Sequence, residues 1–189
     1  MNAVIENIKT RRSVRSYKEE LPKKADLDAI IDAGLYAPTT KGEQARHLLV
    51  IKGIDKVNEL NDILKRATAS AGKPDEQIYR ERVLQDNYHI SYGAPVFVLV
   101  TAPKTGITFA DADGAIILQT MFLAAHSLGI GSVWINQLRP VADVPVMREF
   151  ISKHGVPADY KIVGGAAFGY ASNPPANVAT RKNTVSIYE

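Results

Sequence analysis

Three guanidinium groups and two serine hydroxyls fall within the seven residues Arg11-Arg12-Ser13-Val14-Arg15-Ser16-Tyr17, directly after a short stretch of helical character. Such a cluster suits a phosphate. Arginine offers planar, bidentate donors to phosphate oxygens and serine adds a short neutral one; several such groups converging on one dianion outweigh a single exposed ion pair. Other chemistry-bearing residues are dispersed. The four histidines, His47, His89, His126 and His154, show neither a His-Glu-x-x-His pattern nor the spacing of two histidines and a carboxylate. They read as packing or surface residues, and no metal site is expected. Asp111 and Asp113 point to different faces of a helix at i and i+2, and their place near its start reads as capping. Neither a Gly-x-Ser-x-Gly elbow nor a Walker loop is present. The run Gly164-Gly165-Ala166-Ala167-Phe168-Gly169 ends a strand with no helix after it, so it fails as a dinucleotide fingerprint and reads as close backbone packing or approach to a flat ligand. No catalytic side chain is assigned.

The elements that must position the basic turn alternate between helix and strand, with a helical bias. Residues 2–10 can form a helix, and Leu27, Ile30, Ile31 and Leu35 recur at helical spacing, with Gly34 and Pro38 near the end of that segment. Two helices thus frame the turn. His47 to Lys52 reads as a strand, followed by polar-faced helices over 55–70 and 75–90. Val96-Phe97-Val98-Leu99-Val100 is a continuous apolar run, as in a strand covered on both faces. The segment 109–129 is the longest helical candidate. Its apolar residues cover most of its circumference, which predicts burial on nearly all sides, and at about 30 Å long it would run through the core and emerge at a subunit interface. Val133-Trp134-Ile135 reads as a strand, 143–153 as a helix and Lys161 to Phe168 as a strand. The tail ends in Val185-Ser186-Ile187-Tyr188, whose alternate apolar residues call for a partner surface.

Composition bounds these readings. The 189 residues are 46% hydrophobic and 23% charged, which fits a single globular domain over 1–189. A domain of that size buries roughly 70% of its unfolded surface. The longest apolar run is far short of the roughly 18–20 residues of a membrane span, and no secretory signal is visible at the start, so the cytoplasm is the default expectation. Cysteine is absent. Disulfides, thiolate nucleophiles, Cys-ligated zinc and iron–sulfur clusters are thereby excluded, and redox chemistry would fall to an organic cofactor or another metal. The net charge is +3, with residues 1–24 at +4 and the remainder at −1. A nucleic-acid binder would spread its charge over a larger face and interleave aromatics, so the local basicity argues against that class.

Five segments together carry a family resemblance: Arg-Arg-Ser-Val-Arg-Ser-Tyr at 11–17, Ala37-Pro38-Thr39-Thr40-Lys41-Gly42-Glu43-Gln44, Gly93-Ala94-Pro95-Val96, Ser127-Leu128-Gly129-Ile130-Gly131-Ser132-Val133-Trp134, and the terminal Arg181-Lys182. In order and spacing the chain resembles the FMN-dependent nitroreductase family. The resemblance implies an α/β (α+β) nitroreductase-like fold, with a central, mostly antiparallel sheet flanked by helices and terminal segments exchanged between subunits. It also implies a homodimer with FMN at the interface.

Carried over to this chain, the resemblance puts Arg11, Arg12, Ser13 and Arg15 at the FMN phosphate and the nearby ribityl or ring edge, with Arg181 and Lys182 closing that site. It puts Pro38, Thr39 and Thr40 in the loop that reaches the flavin from the partner subunit, and Gln44 near the ring. Trp134, Ile135, Asn136 and Gln137 would lie along the ring, with a backbone donor near N5. The chain departs from the family's frequent Gln-Pro-Trp at Gln44-Ala45-Arg46-His47, so substrate-side packing is expected to differ. The implied activity is ping-pong transfer of hydride from NADH or NADPH through the flavin to nitroaromatics, quinones or related electrophiles, which needs no acid–base dyad. A flavin carrier or sensor without turnover is the alternative of another class, and a nucleic-acid binder a third.

Overall fold

The apolar run at 96–100 dictates the layering, because a strand with no polar face needs cover on both sides. The computed structural model describes residues 2–71, 77–173, 175, 180, 182 and 184–189. Its helices are α1 (Ala3–Thr10), α2 (Lys24–Leu35), α3 (Ile54–Ser70), α4 (Gln77–Val83), α5 (Ala110–Ser127) and α6 (Pro145–Lys153), with short 3-10 turns at Thr40–Gly42 and Arg139–Val141. The strands are β1 (His47–Lys52), β2 (Val96–Pro103), β3 (Gly131–Ile135) and β4 (Tyr160–Gly169). They form one sheet of order β1-β2-β4-β3 in which each neighbouring pair is antiparallel. The mixed α/β class and the antiparallel sheet agree with expectation.

Alternation along β2 divides the interior. Phe97 and Leu99 join Leu60, Leu64, Ile135 and Ile151 under α3 and α6, whereas Val96, Val98 and Val100 join Ile30, Ile117, Leu118 and Phe168 under α2 and α5. Helix α5 can lie this close to the sheet because Gly114 has no side chain. A Cβ built there would sit 2.3 Å from Cγ1 of Val163, where β4 carries a bulge opposite Val100 and Thr101.

Three expectations are corrected. The helix foreseen over 75–90 is the shorter α4, residues 75 and 76 lying outside the described residues. After Val83 the buried Asn61 diverts the backbone, its amide donating to the Tyr88 carbonyl at 3.2 Å and its oxygen accepting from Ile90 N–H at 2.9 Å. Helix α5 is buried on one face, not all round: Ile117, Leu118, Met121 and Phe122 are enclosed, while Ile116 and Leu128 keep 41% and 40% exposure. The capping role of Asp111 and Asp113 is not observed either. Phe109 precedes α5 without a side-chain cap, and both carboxylates have partners elsewhere.

An exposed helical Gly→Ala change stabilises by about 1 kcal/mol through propensity. At Gly114 the added methyl meets a β-branched side chain of the bulged strand, so we expect Gly114→Ala to destabilise the fold by about 1–3 kcal/mol, read as a lower urea midpoint at unchanged m-value.

Candidate functional site

Helix α1 opens with Asn2, whose side chain accepts from Ile5 N–H at 3.0 Å. It closes through Arg12, whose Nη1 donates to the carbonyls of Lys9 at 2.6 Å and Arg11 at 2.7 Å. Beyond it the chain is extended and stitched to the sheet. Val14 N–H donates to the Ser132 carbonyl at 3.0 Å, Ser13 pairs in parallel with Ser132, and Lys18 N–H donates to the Tyr170 carbonyl at 2.9 Å. Val14 seats directly over Gly131, where a Cβ would lie 2.8 Å from its methyl. The buried Tyr17 hydroxyl donates to the Val14 carbonyl at 2.8 Å, and burial pushes its pKa up, so it stays a donor.

The turn also rests on the last turns of α5. Asn7 Nδ2 donates to the Leu123 carbonyl at 2.9 Å, Thr10 Oγ1 lies 2.9 Å from His126 Nε2, and the Arg11 guanidinium sits 5.9 Å over the Phe122 ring. A cavity of about 300 Å³ opens here, lined by Arg11, Arg12, His126, Gly129, Gly131 and Ser132 among others, and among the described residues no carboxylate lines it. Trp134 follows Ser132 on the same face of β3, edge-on to Phe122 with ring centroids 6.4 Å apart. Its Nε1 donates to Asn136 Oδ1 at 2.7 Å. Gln137 Oε1 accepts from Asn136 N–H at 2.9 Å, the Gln137 carbonyl accepts from the Tyr79 hydroxyl, and Ile135 faces the opposite core.

The Pro38–Gln44 loop lies at the other end of α5. Asp113 in its first turn accepts from Thr40 N–H at 3.0 Å and from Thr40 Oγ1 at 3.0 Å, and Thr39 Oγ1 accepts from Gln44 N–H at 3.1 Å, with Gln44 at φ 50°. Asp113 and His126 are separated by about 20 Å along the helix at 1.5 Å per residue. Within one chain, therefore, Arg11, Arg12, Ser13 and Trp134 come together, while Pro38, Thr39, Thr40 and Gln44 stand apart from them. Arg15 and Lys182 are exposed, and Arg181 lies outside the described residues. Sequence reasoning missed Asn7, Asp113 and His126. The one available signal was the i, i+4 pair Phe122 and His126 on α5, facing Asn7 and Thr10 at i, i+3 on α1.

The outer flank of the site is apolar. Val4 and Ile8 of α1 are 66% and 51% exposed. They border a groove of about 690 Å³ shared with Thr120, Leu123 and Ala124 of α5. The tail residues Val185, Ile187 and Tyr188 are exposed as well. Among the described residues no cluster of His, Cys, Asp or Glu could hold a metal ion, and no helix is long and apolar enough to cross a membrane.

Comparison with known proteins gives these features a context. The nitroreductase family profile matches residues 8–170. The solved structure of a nitroreductase with bound FMN from Bacteroides fragilis is 36% identical, superposes with a TM-score of 0.92, and is covered over 100% of both chains. An NADPH-flavin oxidoreductase of Vibrio harveyi is 29% identical over 194 residues, spanning 97% of this chain and 75% of that protein. A relative from Methanothermobacter thermautotrophicus, named for NADH dehydrogenase/NAD(P)H nitroreductase activity, is 30% identical over 135 residues. That match spans 69% of this chain and 59% of the relative.

Asp113 is the tether of the Thr40 loop. We expect Asp113→Ala to cost about 1.5–3 kcal/mol, the range for hydrogen bonds to a charged group, and to speed tryptic cleavage after Lys41, followed by mass spectrometry of the native protein.

Proposed function

We propose that this chain, which belongs to the nitroreductase family, binds FMN and acts as an NAD(P)H-dependent oxidoreductase built as a homodimer. The observation that carries this reading is the cavity beside the segment that follows α1, lined among the described residues by Arg11 and Arg12 and by no carboxylate, with Ser13 bridged to Ser132 at its edge. That donor set fits the terminal phosphate of FMN: guanidinium groups, a hydroxyl and the backbone of Gly129–Ser132 surround a space that no acidic side chain lines among the described residues. Arg11, Ser13 and Arg15 would hold the phosphate, joined by Lys182 and Arg181 from the tail. Arg12 would contribute charge while its Nη1 closes α1. Trp134, Ile135, Asn136 and Gln137 would present the backbone beside the ring, kept in position by the Trp134–Asn136 and Asn136–Gln137 hydrogen bonds.

When bound, FMN supplies hydride transfer from NADH or NADPH to nitroaromatic, quinone or related electrophilic acceptors, in ping-pong order. The chain's own task is electrostatic and steric. Cations and backbone donors favour an anionic ligand, and the aromatic pair Phe122 and Trp134 keeps water from one side of the site.

The second subunit follows from the length of α5. Pro38, Thr39, Thr40 and Gln44 are held about 20 Å from the basic turn, at the opposite end of that helix. Two copies with their α5 helices antiparallel bring the loop of one to the basic turn of the other. The exposed Val4, Ile8 and Ile116 and the apolar tail supply the surface for that pairing.

The purified protein should be yellow, absorbing near ~450 nm, and should bleach anaerobically on addition of NADPH or NADH; a colourless chain that cannot be reconstituted with FMN would refute the flavin assignment. Arg11→Ala should weaken FMN binding by about 1.5–3 kcal/mol, as for loss of a charge-assisted hydrogen bond, measured by fluorescence quenching of free flavin. Ile116→Asp should turn a dimer into a monomer by light scattering and release FMN with it, and a flavin-retaining monomer would count against the shared site.

A further inference from the structure

We propose that His126 is a proton-coupled binding residue for the phosphate monoester: its imidazole is neutral in the ligand-free site and becomes a cation when the phosphate is seated beside Arg11 and Arg12, so binding takes up a proton. The inference rests on the FMN reading above and adds to it a residue and a pH dependence.

The tautomer follows from the hydrogen bonds. Thr10 Oγ1 has one proton and donates it to the Glu6 carbonyl at 2.8 Å, so towards His126 Nε2, 2.9 Å away, the hydroxyl accepts. Nε2 therefore carries the hydrogen, and in the neutral ring the lone pair is on Nδ1. Protonation adds charge at Nδ1 without disturbing the contact to Thr10.

Among the described residues, the charged surroundings have one sign. Arg11 and Arg12 face the ring from the end of α1, and no Asp, Glu, Lys or Arg occurs between Gly114 and Ser132 on α5 and the turn after it. On α1, Glu6 meets this cluster through its backbone carbonyl, and the remaining cavity lining carries no carboxylate. Burial, followed by Arg11 and Arg12, lowers the His126 pKa from its ordinary value, even though the carboxyl end of α5 favours a cation. A phosphate dianion reverses the local field and raises it. Between the lowered ligand-free value and the raised bound value, binding takes up a proton and affinity increases as pH falls, by up to about tenfold per pH unit. Below the ligand-free value the gain is complete. Protonation of the ligand's own second ionisation, near pH ~6, acts in the opposite direction, so the test belongs above that pH.

The experiment is calorimetric titration of FMN into the flavin-free full chain at pH 7, in phosphate-free buffers of different ionisation enthalpy, for the wild type and His126→Gln. The glutamine amide can still donate to Thr10 but cannot titrate. Net proton uptake should appear in the wild type and fall away in the variant, with FMN affinity reduced roughly tenfold; riboflavin, which lacks the phosphate, should produce no uptake. Equal proton uptake by wild type and variant would overturn the role of His126 while leaving FMN binding intact, whereas no FMN binding by the wild type would overturn the flavin reading and this inference with it. Should His126→Gln fail to fold, the wild type decides alone. One of the four histidine Cε1–H resonances should move its titration midpoint up by about one unit or more on FMN binding, and a set of four unmoved midpoints would refute the proposal.

Discussion

Helix α5 lies against the sheet at a distance that only a glycine allows, and the rest of the molecule is arranged around that contact. Gly114 admits the bulged Val163 of β4 where a methyl group would collide. Once the helix is seated there, Ile117, Leu118, Met121 and Phe122 fall into the core it shares with α2. Both of its ends become fixed points: Asp113 tethers the Thr40 loop at one, and Leu123 and His126 receive α1 and the basic turn at the other. The basic turn and the Thr40 loop are thus positioned through one rigid element, which holds geometry more closely than a chain of loops would.

The fold was legible wherever a segment's own pattern decided its state. The unbroken Val96–Val100 run announced a strand with two covered faces, and its neighbours by alternation divide into the two cores. The helical spacing at Leu27, Ile30, Ile31 and Leu35 and the helices read over 55–70 and 143–153 became α2 (Lys24–Leu35), α3 (Ile54–Ser70) and α6 (Pro145–Lys153). Legibility failed where a distant side chain intervened. Nothing in the sequence of 84–90 reveals that Asn61 will claim the Tyr88 carbonyl and the Ile90 amide and stop α4 early.

The same distinction divides the site. Arg11, Arg12 and Ser13 were conspicuous because their chemistry is concentrated in adjacent positions. Asp113 and His126 were not, since Asp113 meets Thr40 across 73 positions and His126 meets Thr10 across 116. Each also had an ordinary local explanation, as a helix cap or a surface imidazole, and local patterns carry no information about a partner so far along the chain. The basic cluster itself proved less uniform than its spacing implied. Arg12 turns back to the carbonyls that end α1, while Arg11 lies over Phe122 and Arg15 is exposed.

Helix α1 connects this electrostatics to stability. It has eight residues and none of them is buried, and a helix that short does not hold in water by propensity alone. In the single chain it is kept by the Asn2 cap, the Asn7 and Thr10 contacts to α5, and the Arg12 closure. Those last contacts gather Arg11, Arg12 and His126 around a cavity that no carboxylate lines among the described residues, so the two neighbouring guanidinium groups repel each other at the turn. An anion in the cavity would remove that opposition, and an apolar partner over Val4 and Ile8 would add the burial that α1 lacks. Order in α1, binding of an anion beside it and burial of its apolar face would therefore favour one another, because the basic turn directly follows a helix with no buried residue.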